Sequence, residues 1–345
     1  MQTARFAATR RRAARLSALL VATALATAVL PGAASPSQAA TARLSLTMPL
    51  YDAPGATVPV IVSVGPVARG TTATFTLGGG WCLTGSGATY AFPGSGGIYL
   101  GTECFYTLPG RTWKGYVSGS AELSAGSTTS TVSARAARSI HTMGYVTRSL
   151  SAAQINATER CGNTGSSVWL TFDDRIPSSA TTRSLIAVLA RNRVRAHFYL
   201  NGISSADRAA LVKAGHIVQN HTKNHLALNT LTGSRIQSEV KGGPRPSARP
   251  YLMRPPYGAG AFARRVTDAV SPLGYGICRW TTDTKDWSGV SASVMGAKVR
   301  YGDAYTKPAT AGGVVLMHAT HYSPTKLQAV IDAIRARGLT VEANR

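Results

Sequence analysis

Val168-Trp169-Leu170-Thr171-Phe172-Asp173-Asp174 is a short apolar run closed by two adjacent aspartates. It is too short for a helix and rich in residues that suit a pleated surface, so it reads as a buried strand ending in charge. Outward from it the pattern alternates. Leu185, Val188 and Leu189 follow at helical spacing, then Ala196 to Leu200 as strand, Ser204 to Ala214 as a helix stopped by Gly215, and Ile217 to Asn220 as strand. Further strands are expected at Tyr251 to Met253, Gly276 to Trp280, Val314 to Met317 and Thr340 to Glu342. Thr325 to Arg337 puts Leu327, Val330, Ile331 and Ile334 on one helical face before Gly338. Such alternation implies parallel strands with crossover helices. Residues 160–345 therefore read as an α/β domain, a distorted (β/α) barrel of about seven parallel strands.

Polar clusters fall where these strands end. Asp173 and Asp174 close the first strand, His221 follows the third, Arg254 the fourth, Asp283 and Asp286 the fifth, and His318 the sixth. In a parallel barrel these carboxyl ends share one face, where sites are built. His221 and His225, on one helical turn or a tight loop, can face the same cation, and a nearby carboxylate completes a three-ligand site. Two adjacent carboxylates need a cation or an arginine to offset their repulsion. Asp174 is assigned to the metal and Asp173 to the base. A histidine pair alone is more often surface or core; the company of the other clusters reverses that reading. One divalent ion is expected, zinc foremost, with cobalt, nickel, iron or manganese also fitting the ligand types.

Arg5, Arg10, Arg11, Arg12 and Arg15 precede the apolar run Leu16 to Leu30, followed by Pro31-Gly32 and the small residues around Ala39-Ala40. This is the pattern of a cleaved signal over residues 1–39, exported by the general or the twin-arginine route. The run is shorter than the ~20 residues a spanning helix needs, and no later stretch is long and apolar enough to span. A secreted or envelope-associated monomer without a membrane span is expected. Hydrophobic residues make up 44% and charged residues 15%, which describes a folded rather than a disordered chain. Removing five signal arginines from the net charge of +23 leaves 23 − 5 = +18. For an exported chain without a basic-aromatic recognition motif, that charge points to anionic cell-wall polymer rather than nucleic acid, or simply to solubility.

Residues 41–140 read differently. Runs such as Val58 to Val64 and Thr71 to Leu77 are rich in β-branched residues and broken by Gly78-Gly79-Gly80 and Gly94-Ser95-Gly96-Gly97, which suggests an antiparallel sandwich. Trp81, Tyr90, Phe92, Tyr99, Phe105, Tyr106, Trp113 and Tyr116 could stack on sugars or fill the sandwich core. Residues 141–159 read as a linker. Four cysteines in an exported chain favour disulfides, most economically Cys82 with Cys104 and Cys161 with Cys278, free buried thiols being the alternative.

Leu170-Thr171-Phe172-Asp173-Asp174, His221-Thr222-Lys223-Asn224-His225, Arg254-Pro255-Pro256-Tyr257-Gly258, Asp283-Thr284-Lys285-Asp286-Trp287 and Leu316-Met317-His318 together resemble the five motifs of the polysaccharide deacetylases, carbohydrate esterase family 4. The resemblance covers roughly residues 160 to 345 and leaves the first segment untouched. It implies a distorted barrel and metal-dependent removal of acetyl groups from a polysaccharide such as peptidoglycan or chitin. Asp174, His221 and His225 would hold the ion, and Asp173 would take a proton from the attacking water. His318 would protonate the leaving amine, with Asp286 tuning it and Arg254 keeping Asp173 ionised and oriented. The backbone N–H of Tyr257 would face the oxyanion, while Trp287 and Leu316 would wall the acetyl pocket. One departure stands out: Arg175-Ile176 replaces the Gly-Pro that usually follows the aspartates, and Arg175 is a candidate contact to an anionic group of the substrate. The same residues would serve an O-acetyl xylan esterase. A non-catalytic carbohydrate-binding barrel should have lost a ligand, acid or base, and this chain keeps all of them.

Overall fold

Side chains that alternate between two faces build both parts of the molecule. The computed structural model describes residues 42–48, 57–84, 88–109, 113–140 and 150–343, all within one compact unit. The expected signal over 1–39 and the first part of the expected linker, 141–149, lie outside the described residues. Among the described residues no helix is long and apolar enough to cross a membrane.

Eight antiparallel strands come first: β1 (Arg43–Thr47), β2 (Thr57–Val67), β3 (Thr72–Leu77), β4 (Gly80–Cys82), β5 (Thr89–Gly94), β6 (Gly97–Thr107), β7 (Trp113–Ala125) and β8 (Thr128–Ile140). One sheet runs β1-β2-β6-β4 with β5 also on β6, and the other runs β3-β7-β8. Val58, Val60, Val62 and Val64 recur every second residue along β2 and share one apolar core with Leu77, Val117, Ala121 and Leu123 of the other sheet. That is a sandwich. Cys82 and Cys104 are cross-strand partners and are disulfide-bonded. Of the aromatics that could have served sugar stacking, Tyr90, Phe92 and Phe105 are buried, whereas Tyr116 is exposed beneath Arg135.

The second part contains α1 (Ala152–Glu159), β9 (Trp169–Asp173), α2 (Ser179–Arg191), β10 (Ala196–Leu200), α3 (Ser205–Lys213), β11 (Ile217–Asn220), α4 (Gly233–Gly242), β12 (Leu252–Met253), α5 (Arg264–Val270), β13 (Gly276–Ile277), β14 (Thr282–Asp283), α6 (Ala292–Tyr301), β15 (Val314–His318) and α7 (Pro324–Arg335). Seven parallel strands run in the order β13-β12-β11-β10-β9-β15-β14. The two edge strands, β13 and β14, are joined only by residues 278–281, a reach of at most ~17 Å. The sheet must therefore curl until its edges nearly meet, as a barrel with one gap.

Leu170 and Phe172 of β9 face outward onto Leu185, Val188 and Leu189 of α2 and Leu327, Val330, Ile331 and Ile334 of α7. Trp169, Tyr199, Leu252 and Val314 pack together with Cys161 and Cys278, which are disulfide-bonded. Three expectations are corrected. Gly276 to Trp280 is not one strand: pairing stops at Ile277, the chain crosses the gap, and an unforeseen strand begins at Thr282. Thr340 to Glu342 adds a single bridge, Val168 to Val341, in place of a strand. The stretch read as a linker includes α1, capped by Ser151, whose hydroxyl accepts from the Gln154 N–H, with Ile155 and Glu159 buried.

Candidate active site

On a continued strand Asp173 and Asp174 would point to opposite faces. Asp174 instead takes a left-handed φ of 73°, and both carboxylates line one cavity. His221 leaves β11 with its N–H on the Leu200 carbonyl at 2.9 Å. The segment to His225 is a tight loop rather than a helical turn. Asn220 Oδ1 accepts the Thr222 N–H at 2.8 Å, and Glu239 of α4 accepts from the Asn224 backbone and side chain, both at 2.9 Å. Thr222 and His225 adopt left-handed φ values of 68° and 56°. Gly243 is required beside this loop, because a Cβ there would lie 2.8 Å from the Thr222 carbonyl oxygen.

Three electron-pair donors converge as a result. His225 Nε2 lies 3.1 Å from Asp174 Oδ1, His221 Nε2 lies 3.7 Å from the same oxygen, and the two nitrogens are 3.2 Å apart. Tetrahedral ligands at metal distances of 2.0–2.1 Å are separated by roughly 3.3 Å, so the set fits a small divalent ion. Among the described residues Asp174, His221 and His225 are the group that could hold one.

Their outer partners fix the histidine orientation. His221 Nδ1 donates to the Arg254 carbonyl at 2.8 Å, which leaves Nε2 as the lone-pair nitrogen. His225 Nδ1 meets the Tyr257 hydroxyl at 3.1 Å, and the Thr320 hydroxyl donates to Asp174 Oδ2 at 3.1 Å. Burial lowers the His221 pKa against the pull of Asp173 and Asp174, so the imidazole favours the neutral form a ligand needs. Burial pushes the Asp174 carboxyl up, but the His225 hydrogen bond and the nearby imidazoles overcome it and hold the pKa at about 2.

Asp173 sits beside this centre without joining it. Arg254, fully buried, donates through Nη1 to Asp173 Oδ1 at 2.6 Å and to the Thr171 hydroxyl at 2.9 Å, and through Nη2 to the Arg279 carbonyl at 2.7 Å. Its guanidinium lies 4.1 Å from the Tyr199 ring centre. The other Asp173 oxygen is 3.7 Å from His221 Nε2. On the neighbouring strand His318 is the register partner of Asp173. Asp286 grips His318 twice, accepting from Nδ1 at 2.8 Å and from the backbone N–H at 2.7 Å. Burial would lower the His318 pKa, but the Asp286 bond and the charges of Asp173, Asp286 and Asp174 raise it to about 9.

The cavity encloses about 490 Å³. It brings together Asp173, Asp174, His221, His225, Tyr257, Trp287, Leu316 and His318, with Asp283 also on its wall. Arg254 and Asp286 stand behind it. Arg175 does not line this cavity; it is exposed in an adjoining groove with Lys223, Asn224 and Thr320 that shares Asp174 and His225 with it. Sequence reasoning missed the Tyr257 hydroxyl, Thr171, Tyr199 and Thr320. Period-two alternation along β9 would have paired Thr171 with Asp173; nothing local signals the others. It also missed Thr47, Met48, Pro59 and Ile61 of the sandwich, which form part of the cavity wall.

The fold and site define a class: curled (β/α) barrels with a two-histidine, one-carboxylate centre at the carboxyl ends of their strands. The family model for polysaccharide deacetylase matches residues 162–277. Chitooligosaccharide deacetylase of Sinorhizobium fredii is 31% identical over 176 residues, covering 48% of this chain and 77% of that protein. Peptidoglycan-N-acetylglucosamine deacetylase PgdA of Listeria monocytogenes is 30% identical over 185 residues, covering 51% of this chain. The match spans only 37% of the Listeria protein's length. A family 4 carbohydrate esterase from Streptomyces lividans, solved in complex with acetate, aligns at 26% identity with a TM-score of 0.43, over 51% of this chain and 91% of that one. The chain belongs to the polysaccharide deacetylase family, carbohydrate esterase family 4.

Proposed function

We propose that the protein is a secreted, metal-dependent hydrolase that removes acetyl groups from N-acetylated polysaccharide. The convergence of Asp174, His221 and His225 within 3.1–3.7 Å, beside a carboxylate held apart by Arg254, carries this reading. A divalent ion held there, zinc foremost, would polarise the acetyl carbonyl and acidify a water. Asp173 accepts the proton of the attacking water, with Arg254 and Thr171 holding its geometry. The backbone N–H of Tyr257 faces the developing oxyanion. His318, kept protonated by Asp286, passes a proton to the amine nitrogen as the carbon–nitrogen bond breaks. Acetate and a free amine leave. Trp287 and Leu316 enclose the methyl group.

The names of the relatives point to peptidoglycan and chitin oligomers, and the charge of +18 beyond the signal favours a polymer in an anionic envelope, peptidoglycan first. Residues 1–39 act as the export signal, and the protein works as a monomer. Acetate release from peptidoglycan, chitin oligomers and acetylated xylan, before and after chelation and after zinc is returned, tests the reading. Release from the first two, lost with the metal and restored by it, is expected. Release from xylan alone would reassign the enzyme to O-acetyl esters, and no release from any would reduce it to a binding protein.

A further inference from the structure

We propose that Tyr305 forms a sugar-stacking subsite at the seam between the sandwich and the barrel, binding a pyranose ring further along the polymer than the one being deacetylated. The proposal rests on the deacetylase reading for the identity of its ligand. Tyr305 lies between α6 and β15, outside every motif that defined the site. Tyr305 is 61% exposed and lines the same cavity as Asp174 and His318.

An exposed aromatic usually sits on a yielding loop, but this one is held from several directions. Asp303 Oδ1 accepts the N–H groups of Tyr305 at 2.8 Å and Thr306 at 3.0 Å, and Lys298 pairs with the same carboxylate. The Thr306 hydroxyl accepts the Asp283 N–H at 2.8 Å. The sandwich anchors the loop too, since Tyr90 donates to the Asp303 carbonyl at 3.2 Å and Lys307 pairs with Glu103 of β6. The conformational freedom that a flexible loop would lose on binding is already absent here. Thr47, Met48, Pro59 and Ile61 of the sandwich line the same cavity and make part of its wall apolar. Three large exposed aromatics, Tyr257, Trp287 and Tyr305, thus border one cavity of about 490 Å³, a size that suits a ligand well beyond an acetyl group. A pyranose, with apolar C–H faces and a hydroxyl rim, matches an aromatic plate between polar neighbours such as Thr306 and Lys307.

The test compares wild type, Tyr305→Ala and Tyr305→Phe in the full chain. For acetate release from an N-acetylglucosamine hexasaccharide, Tyr305→Ala should raise KM roughly fivefold with kcat retained, the size of one lost stacking contact. KM for the disaccharide should hold, and Tyr305→Phe should behave as wild type. Equal KM values for wild type and Tyr305→Ala on the hexasaccharide would overturn the subsite. Calorimetric titration of the hexasaccharide into chelator-treated protein separates this from the catalytic reading. Weaker binding by Tyr305→Ala without acetate release from wild type would keep the subsite and sink the deacetylase. Unchanged binding, or none by wild type, would sink the subsite.

Discussion

Tyr257 serves the site through two different atoms, its hydroxyl on His225 and its peptide in a left-handed turn with φ 61°. Tyr257→Phe removes only the first. Loss of an outer partner of a metal-bound histidine weakens metal affinity by roughly tenfold or more, so zinc titration against a competing chelator should show that drop while the turn persists. Unaltered affinity would mean that the phenol does not orient His225. Asp173→Asn should lower turnover by about 10²–10⁴-fold, the usual contribution of a general base, with zinc stoichiometry retained because Asp173 is not a ligand. If His318 is the acid of the proposed mechanism it must carry its proton to act, so activity should fall along an alkaline limb as pH rises through a pKa near 9. The Asp286 hydrogen bond raises that value, so Asp286→Asn should move the limb to lower pH. Coincident limbs would remove Asp286 from the role.

Alternation along β9 assigns Leu170 and Phe172 to the helices and Thr171 and Asp173 to Arg254. Removing the cation from such a buried pair leaves a carboxylate uncompensated and costs about 3–5 kcal/mol. Denaturant unfolding of Arg254→Leu should show that loss. Adding Asp173→Asn to it should recover part of the stability, whereas strictly additive losses would deny the coupling. This strand was readable because it is long enough to show a period, and so were α2 and α7, whose buried stripes fall on the expected residues. β13 and β14 have two residues each and no period to read. The identity of the converging side chains was legible because chemistry restricts residue type. Their approach was not, since Asp174, Thr222, His225 and Tyr257 reach the site through left-handed backbone that no spacing rule foretells. The direction Arg175 takes was hidden for the same reason: it follows the left-handed turn at Asp174 and lies in the adjoining groove.

The sandwich and the barrel meet over charges taken out of water. Glu103 of β6, Glu159 of α1, Arg279 and Lys307 cluster there, with Arg279 2.9 Å and Lys307 3.3 Å from Glu159. Phe105 of β6 meets Phe262 edge-on nearby, with ring centres 6.2 Å apart. No local pattern announces this seam, because it exists only once two separately formed sheets dock, yet it holds both the Tyr305 loop and the sandwich wall of the cavity. Burial, then Glu103, push the Glu159 carboxyl up from 4.5 to about 7, with Lys307 and Arg279 only partly offsetting them. Between those values the folded protein keeps a proton that the unfolded chain has released, so this group makes stability fall as pH rises through the window. Glu159→Gln has no proton to release. Its melting temperature should therefore gain on wild type steadily from about pH 5 to about pH 8, reaching several degrees. Parallel curves across that range would mean that Glu159 is fully ionised in place, and that Lys307 and Arg279 balance both carboxylates at the seam.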